Sequence, residues 1–564
     1  MSDTVNTSRK QKTVSSSLWA AYGDVLGFPT ELASPSLVNQ RLGTVRSQRS
    51  GAWRRLVGGR FGAQVDLCVG AYSDDTQLRL ATSRSIGSNS FFDVESFAKI
   101  ELPVWLSYSL GAGRGSKAAA NSLSGQSSNW FSNFYSLNGI AYVNGGGNGA
   151  AMRIQPHVWS APNLADERSI LTSVVRNAIT THGHVRGIAG AMVHAIALAR
   201  VMRDEVIPGP DEWAHFADVI RTLPELVATD SQLATFWLPT WERHSAIDIA
   251  AATELVAQEW LACVSSARNI APADPEAMYF EILKNQGGFS ESERGSGLKS
   301  ALFSMVACWL FRQNDAKDCI ETIANFLESD TDTIATMAGA LLGALPNQSV
   351  PDDTIQDAEY IEFEANRLFE ISQRIDIKSF SYPDLLYWQP PKTALDCVGI
   401  NQGNYELAGF GEITPLSEEF PGTQKGTVWQ WFQLGFGQSI LCKRRISPKK
   451  LLQSSFKHSS PKLVMKQEVE GPMSKRAEKS KQAIVPDLFT LQVSSPQESS
   501  VLENKIEQIS IDQLTATVIR SNFDPKVIGD CILKICQEVN AIELAIGFSA
   551  IVVKARTARL RKEQ

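Results

Sequence analysis

Two short segments of this 564-residue chain concentrate oxygen donors: Ser73-Asp74-Asp75-Thr76 and Asp330-Thr331-Asp332-Thr333. Each runs straight into a helical pattern, QLRLATSRS after the first and IATMAGALLGAL after the second. Asp with Ser or Thr, and no His or Cys, is a donor set for hard divalent cations such as Mg²⁺ or Mn²⁺. Helix capping is the competing reading, because Asp, Ser and Thr are the usual residues at a helix start. One cap accounts for one such residue. It leaves the adjacent carboxylates at 74 and 75, and a second pair at 330 and 332, without a use unless a cation joins them. On the residues alone both readings stand.

Three further segments carry groups that could bind a ligand. Gly23-Asp24-Val25-Leu26-Gly27-Phe28-Pro29-Thr30-Glu31 closes an apolar helix, SLWAAY. Gly145-Gly146-Gly147-Asn148-Gly149-Ala150-Ala151-Met152-Arg153 offers backbone N–H groups that could cradle a phosphate, with Arg153 as a nearby cation. A plain glycine turn explains it equally, and it matches neither the dinucleotide nor the Walker pattern. Thr181-His182-Gly183-His184 ends one helix and opens the next, where a histidine is often only a charge–dipole partner.

The elements that must position these groups are mostly helices. From about 160 to 345, apolar residues recur at three- and four-residue spacing in LADERSILTSVVRNAIT, VRGIAGAMVHAIALARVMRD, AIDIAAATELVAQEWLACV and GLKSALFSMVACWLF. Between 16 and 160, glycine-rich LVGGRFG and YSLGAGRGSK read as loops between helices. After about 350, short aromatic and β-branched runs broken by Pro and Gly predict a small β-rich unit. A basic tract at 443–482, with twelve Lys and Arg against three Glu, has the composition of a flexible linker, and helical patterning returns at 500–564.

Composition narrows the class. Hydrophobic residues at 43% and charged residues at 20% predict a globular chain, of about two to four domains by length. A net charge of −6 argues against a general nucleic-acid coat protein. The eight cysteines are scattered, none in a Cys-x-x-Cys pair, as expected of reduced thiols that pack in a core. The polar N-terminus is unlike a signal peptide, and the apolar stretches near 187–199 and 334–345 look too short for a membrane. A cytoplasmic location is the expectation.

Taken together and in order, GDVLGFPTE at 23–31, YSDDTQ at 72–77, GRGSK at 113–117, GNGAAMR at 147–153, TH at 181–182 and DTDTIATMAGALLGA at 330–344 resemble the ADP-ribosylglycohydrolase family. The resemblance covers about 16–345. It implies an all-α catalytic domain over 16–348 with a dinuclear metal cleft holding two Mg²⁺ or Mn²⁺ ions. A disordered start at 1–15, a β-rich accessory unit at 349–442, a basic linker at 443–499 and a helical C-terminal segment at 500–564 complete the expected layout.

By the same resemblance the metal ligands are Ser73, Asp74, Asp75, Asp330, Asp332 and Thr333. Family members often carry Thr where this chain has Ser73, and the hydroxyl oxygen is kept. Glu31 and Asp75 are the candidate catalytic bases. Gly113, Arg114, Gly115, Ser116, Asn148, Gly149, Arg153 and His182 are the expected ADP-ribose contacts. The implied activity is metal-dependent hydrolysis of the glycosidic bond of an ADP-ribose conjugate on a protein, nucleic acid or small molecule. A non-catalytic ADP-ribose-binding or partner-recruiting protein on the same fold is the alternative. The C-terminal region could bind a protein partner or self-associate, nucleic-acid contact is the weaker option, and no membrane is implied. The aromatics Trp130, Phe131, Phe134 and Tyr135 could stack on adenine or belong to the core.

Overall fold

The computed structural model describes residues 2–137, 139–385, 387–451, 510–538 and 541–563. The chain divides into two compact units, Met1–Ser459 and Ser460–Gln564.

The first unit is built on helix pairs that approach through glycine. The opening helix, Ser2–Gly27, crosses the helix Thr331–Gly343 along its length. A Cβ on Gly23 would stand 2.2 Å from the Ala335 carbonyl oxygen, and one on Gly27 would stand 2.4 Å from the Cα of Asp332. In return, a Cβ on Gly339 would meet the Trp19 carbonyl at 2.2 Å and one on Gly343 the Ser15 carbonyl at 2.6 Å. Gly-x-x-x-Gly spacing places both glycines of each helix on one face, so the two backbones can touch. This contact sets the second acidic segment against the end of the first helix.

The expected disordered start at 1–15 is instead part of that first helix. Arg9 donates to the Val158 and Ala161 carbonyls, Lys12 to the Met202 carbonyl, and Ser16 to the Ala340 carbonyl. A polar sequence is held there by partners more than 140 residues away, which no local pattern reveals.

The helix Val185–Asp204 packs against Gly297–Leu310. At 20 residues it is long and apolar enough to cross a membrane by composition, contrary to the length expected from sequence, but 89% of its apolar window is buried inside the fold. It is a core helix.

Three β elements join this helical body among the described residues. Strands β1, Trp53–Val57, and β2, Ala63–Leu67, form an antiparallel hairpin where glycine loops were expected. Small strands β3, Ser136–Leu137, and β4, Ile140–Ala141, pair with each other. Further on, β5 (Val398–Asn401), β6 (Asn404–Leu407), β7 (Gly411–Pro415), β8 (Phe420–Pro421), β9 (Thr427–Leu434) and β10 (Ser439–Arg445) make one antiparallel sheet. Its order is β10-β9-β7-β6-β5, with β8 beside β9.

This sheet does not form a separate accessory unit. Alternation along β9 turns Phe432 and Leu434 into the main core, while Trp429 and Trp431 pack with Trp53, Val57 and Val65 of the hairpin. The helix Ala358–Ser372 also lies in the segment read as β-rich, and it buries Tyr360, Ile361 and Leu368 in the same core. The first residues of the expected linker, 443–445, belong to β10, and 452–509 lies outside the described residues.

Among the described residues of the second unit, three helices, Ile511–Arg520, Pro525–Ile535 and Ala541–Glu563, pack around Val518, Phe523, Cys531, Ile535, Phe548 and Val552. Cys531 is buried and Cys536 exposed; none of the eight cysteines is in a disulfide.

Candidate active site

Both acidic segments begin helices, and the structure shows which residues do the capping. Ser73 caps the helix Asp74–Arg84, its hydroxyl accepting from the Asp75 N–H at 3.2 Å. A second cap comes from the opening helix: Asp24 accepts from the Ser73 N–H at 2.8 Å, the Thr76 N–H at 2.9 Å and the Thr76 hydroxyl at 2.6 Å. Arg79 donates to Thr76 at 2.7 Å and neutralises this buried corner. Capping is therefore supplied by Ser73 and Asp24, which leaves Asp74 and Asp75 for another use. At the second segment, Asp330 makes no side-chain cap to its own helix and accepts instead from Asn148 Nδ2 at 3.0 Å.

The two segments meet. Thr333 Oγ1 and Ser73 Oγ each donate to Asp75 Oδ2 at 3.3 Å, and Asp332 Oδ1 accepts from the Thr333 N–H at 2.8 Å. Asp75 Oδ1 is buried and has no partner. Burial drives Asp74, Asp75 and Asp332 well above the usual carboxylate range, and repulsion from Glu31, Asp24 and Asp330 adds to it. Glu31 is pushed up to about 7 by burial and Asp330, against the pull of Arg55 Nη2 at 3.4 Å.

An all-oxygen cluster of mutually repelling carboxylates, with an orphaned buried oxygen at its centre, fits hard divalent cations. The candidate donors are Asp74, Asp75, Asp330, Asp332 and Thr333. Among the described residues, no three His, Cys, Asp or Glu groups already stand as a finished coordination shell. The fit lies in the donor chemistry and the unpartnered Asp75 oxygen.

Glu31, Asp74, Asp75, Asp330, Asp332 and Thr333 line a cavity of about 670 Å³. Gly113, Arg114, Gly115, Ser116, Asn148, Gly149 and His182 line the same cavity. Gly113 starts the helix Arg114–Leu123 without a side-chain cap, so its first-turn N–H groups remain available beside the cavity. Gly149 has no room for a side chain: a Cβ would stand 2.7 Å from Ser116 Oγ and 3.1 Å from the His182 ring.

Two sequence-named residues do not line the cavity. Ser73 is fully buried and occupied with Asp75. Arg153 is fully buried behind the loop, donating to the Gly149 carbonyl at 3.1 Å, to Asn177 at 2.8 Å and to Thr181 Oγ1 at 2.8 Å. Thr181 Oγ1 lies 2.7 Å from His182 Nδ1. With its oxygen accepting from Arg153, the hydroxyl proton is best placed on Nδ1, which assigns the ring proton to Nε2 on the Gly149 side. Burial and Arg153 pull His182 down to about 3, so the ring is a neutral donor. Arg153 thus acts through Thr181 and His182.

Of the aromatics read as possible adenine platforms, Trp130, Phe131 and Tyr135 are core residues, and Phe134 stacks on His244 at 5.5 Å. Sequence reasoning missed other cavity residues. Asn144, Arg186 and the stretch Glu291, Ser292, Arg294, Gly295 and Ser296 also line it, as does His184 of the Thr181–His184 segment. The last group sits in SESERGSG, a polar glycine stretch just before a helix, which was a legible signal. It also missed the capping by Asp24, which becomes visible only when the first helix meets the Asp74 helix.

A family model described as ADP-ribosylglycohydrolase matches residues 6–378. A solved structure described as an ADP-ribosylglycohydrolase-related protein complex is similar over 65% of this chain and 99% of its own, at 19% identity and a TM-score of 0.38. A search of curated proteins found no match.

Proposed function

The chain belongs to the ADP-ribosylglycohydrolase family, and from that premise we propose that it is a divalent-cation-dependent hydrolase that releases ADP-ribose from a conjugate. The observation that carries this is the meeting of Asp75 with Thr333 beside Asp74 and Asp332, on a cavity that two glycine-rich loops also line.

Asp74, Asp75, Asp330, Asp332 and Thr333 would hold the cations. Bound there, the ions would supply Lewis acidity towards the ribose hydroxyls and lower the pKa of a water. The chain's own groups do the rest. Backbone N–H groups in the first turn after Gly113, and those of Gly147 and Gly149, suit a diphosphate, while Gly145, Gly146 and Asn148 spend theirs on the Tyr142, Asn144 and Gly295 carbonyls. His182, neutral and donating from Nε2, offers a hydrogen bond without adding charge. Glu31 lies at the cavity with its side chain 15% exposed, and burial holds its carboxyl up at about 7. It can take the proton of an attacking water or give one to the departing atom. Cleavage builds positive charge on the ribose, which the surrounding carboxylates stabilise. Water adds its hydroxyl to the anomeric carbon, and its proton leaves with the released group.

The test is release of ADP-ribose from arginine-, serine- and nucleic-acid-linked substrates, with Mg²⁺ or a chelator, by wild type and Asp332→Ala. Metal-dependent release that disappears in the variant is expected. Tight ADP-ribose binding without release from any substrate would replace the hydrolase with a binding protein.

A further inference from the structure

Behind Glu31 lies a second cavity of about 650 Å³, lined by Leu37, Gln40, Arg41, Arg54, Arg55, Leu56 and Gln64. It holds three guanidinium groups and no carboxylate. The β1–β2 hairpin supplies Arg54, Arg55, Leu56 and Gln64, and the helix Pro35–Leu42 supplies the others. Arg55 joins the two cavities. Its Nη2 reaches Glu31 Oε2 at 3.4 Å, while its Nη1 is buried without a hydrogen-bond partner.

The local charges do not cancel. Arg54 pairs with Asp66 at 2.7 Å, both exposed, and Arg55 faces Glu31. Arg41 has no direct carboxylate partner among the described residues: it donates to the Pro29 carbonyl at 2.7 Å, lies 5.2 Å over the Trp53 ring, and feels Glu31 only at longer range. Burial, with Arg55 beside it, pulls Arg41 down to about 10. One positive charge is left over where the wall is open, and the donors are the bidentate kind that match carboxylates.

We propose that this arginine cavity is a docking site for an acidic polypeptide segment, the part of a modified protein that flanks the residue bearing ADP-ribose. The inference rests on the hydrolase reading for its purpose, because the cavity begins one guanidinium from Glu31, where the departing group must leave. A polypeptide fits better than a nucleic acid. The arginines form one compact cluster rather than a track of phosphate contacts, Leu56 is 52% exposed in the wall, and the whole chain carries a charge of −6. Gln40 and Gln64 are suited to a peptide backbone passing between the leucines.

The experiment uses the full chain and two readouts. Fluorescence anisotropy compares an unmodified peptide rich in Asp and Glu with a neutral peptide of equal length. Turnover compares the same two sequences carrying ADP-ribose with an ADP-ribosylated amino acid that has no flanking residues. The acidic peptide is expected to bind about fivefold more tightly or better, in a salt-sensitive manner. Arg54→Gln should weaken this. Leu56→Glu, which places a carboxylate in the cavity opposite neutral Gln64, should abolish it. Both variants should release ADP-ribose from the single amino acid as wild type does.

Equal binding of the two peptides, or an oligonucleotide that displaces the acidic peptide as the better ligand, would overturn the proposal. If wild type releases ADP-ribose from nothing, the hydrolase reading fails, and the anisotropy difference still decides whether the arginine cavity binds acidic peptides.

Discussion

Thr333 donates to Asp75 across 258 positions of sequence, at 3.3 Å, and through this contact two separate helix starts share one carboxylate oxygen. The other oxygen of Asp75 has no partner. The charge at this point is expensive for the protein alone, and that makes it useful to a cation.

Asp75→Asn therefore separates stability from function. The amide keeps the shape and removes a repelled charge, so in chelator the variant should be more stable than wild type, by about 1–3 kcal/mol. Added Mg²⁺ should stabilise wild type strongly and the variant little, and turnover should fall by a factor of about 100 or more. Calorimetric melting with and without Mg²⁺ reads all but the last, which a release assay supplies.

Glu31→Gln should lower kcat by about 100- to 1,000-fold while leaving cation binding near wild type. Titration calorimetry with Mn²⁺ checks the second half. A parallel loss of cation affinity would move Glu31 from proton transfer into the ligand set.

Acid and base act in opposite directions on stability, and the cation selects which is seen. Asp24, Glu31, Asp74, Asp75 and Asp332 are raised in the folded state, so the folded chain keeps protons that the unfolded chain has released. The contribution of the Asp groups is lost as pH rises above 3.8, and that of Glu31 as pH rises from 4.5 through about 7. His157, His182 and His194 are lowered to about 3 by burial, and their contribution is lost as pH falls below 6.5. In chelator, loss of the protons held by the site carboxyl groups should make Tm fall as pH rises from 4.5 to 6.5. Saturating Mg²⁺ would hold Asp74, Asp75 and Asp332 ionised, so the fall in Tm over the same range should then be smaller or reversed by the histidines.

Gly27→Ala and Gly343→Ala test how the site is held. Each puts a Cβ where backbone already lies, 2.4 Å from Asp332 Cα or 2.6 Å from the Ser15 carbonyl. Both should destabilise the fold by about 1–3 kcal/mol. Only Gly27→Ala displaces Asp332, so only it should also weaken Mn²⁺ binding by the folded protein.

Thr181→Val should raise KM with little change in kcat, about three- to tenfold, because the His182 ring loses the hydroxyl that fixes its tautomer. Substrate-free NMR would show the ring nitrogen signals of His182 changing from one tautomer to a mixture.

Much of this site could be read before folding. Asp74, Asp75, Asp330 and Asp332 announce themselves because two adjacent or alternating carboxylates exceed what one helix cap can use, and helical periodicity is a local property of side-chain spacing. Gly145–Gly149 reads as a phosphate cradle or as a plain glycine turn, and Gly113–Ser116 enters only through the family resemblance. The β1–β2 hairpin was not. WRRLVGGRFGAQVDL puts two arginines in a five-residue strand, and its apolar face is buried by Trp429 and Trp431, far along the chain.

The same division runs through the whole molecule. Sequence by itself determined the donor types and the helices that carry them, because each depends on residues a few positions apart. Tertiary structure decided that Asp24 caps the Asp74 helix, that Arg153 serves His182 from behind, that the N-terminal segment is ordered and that Arg55 stands on Glu31. Each of these is a contact between distant segments, and burial, which fixes its strength, exists only once the chain has closed around it.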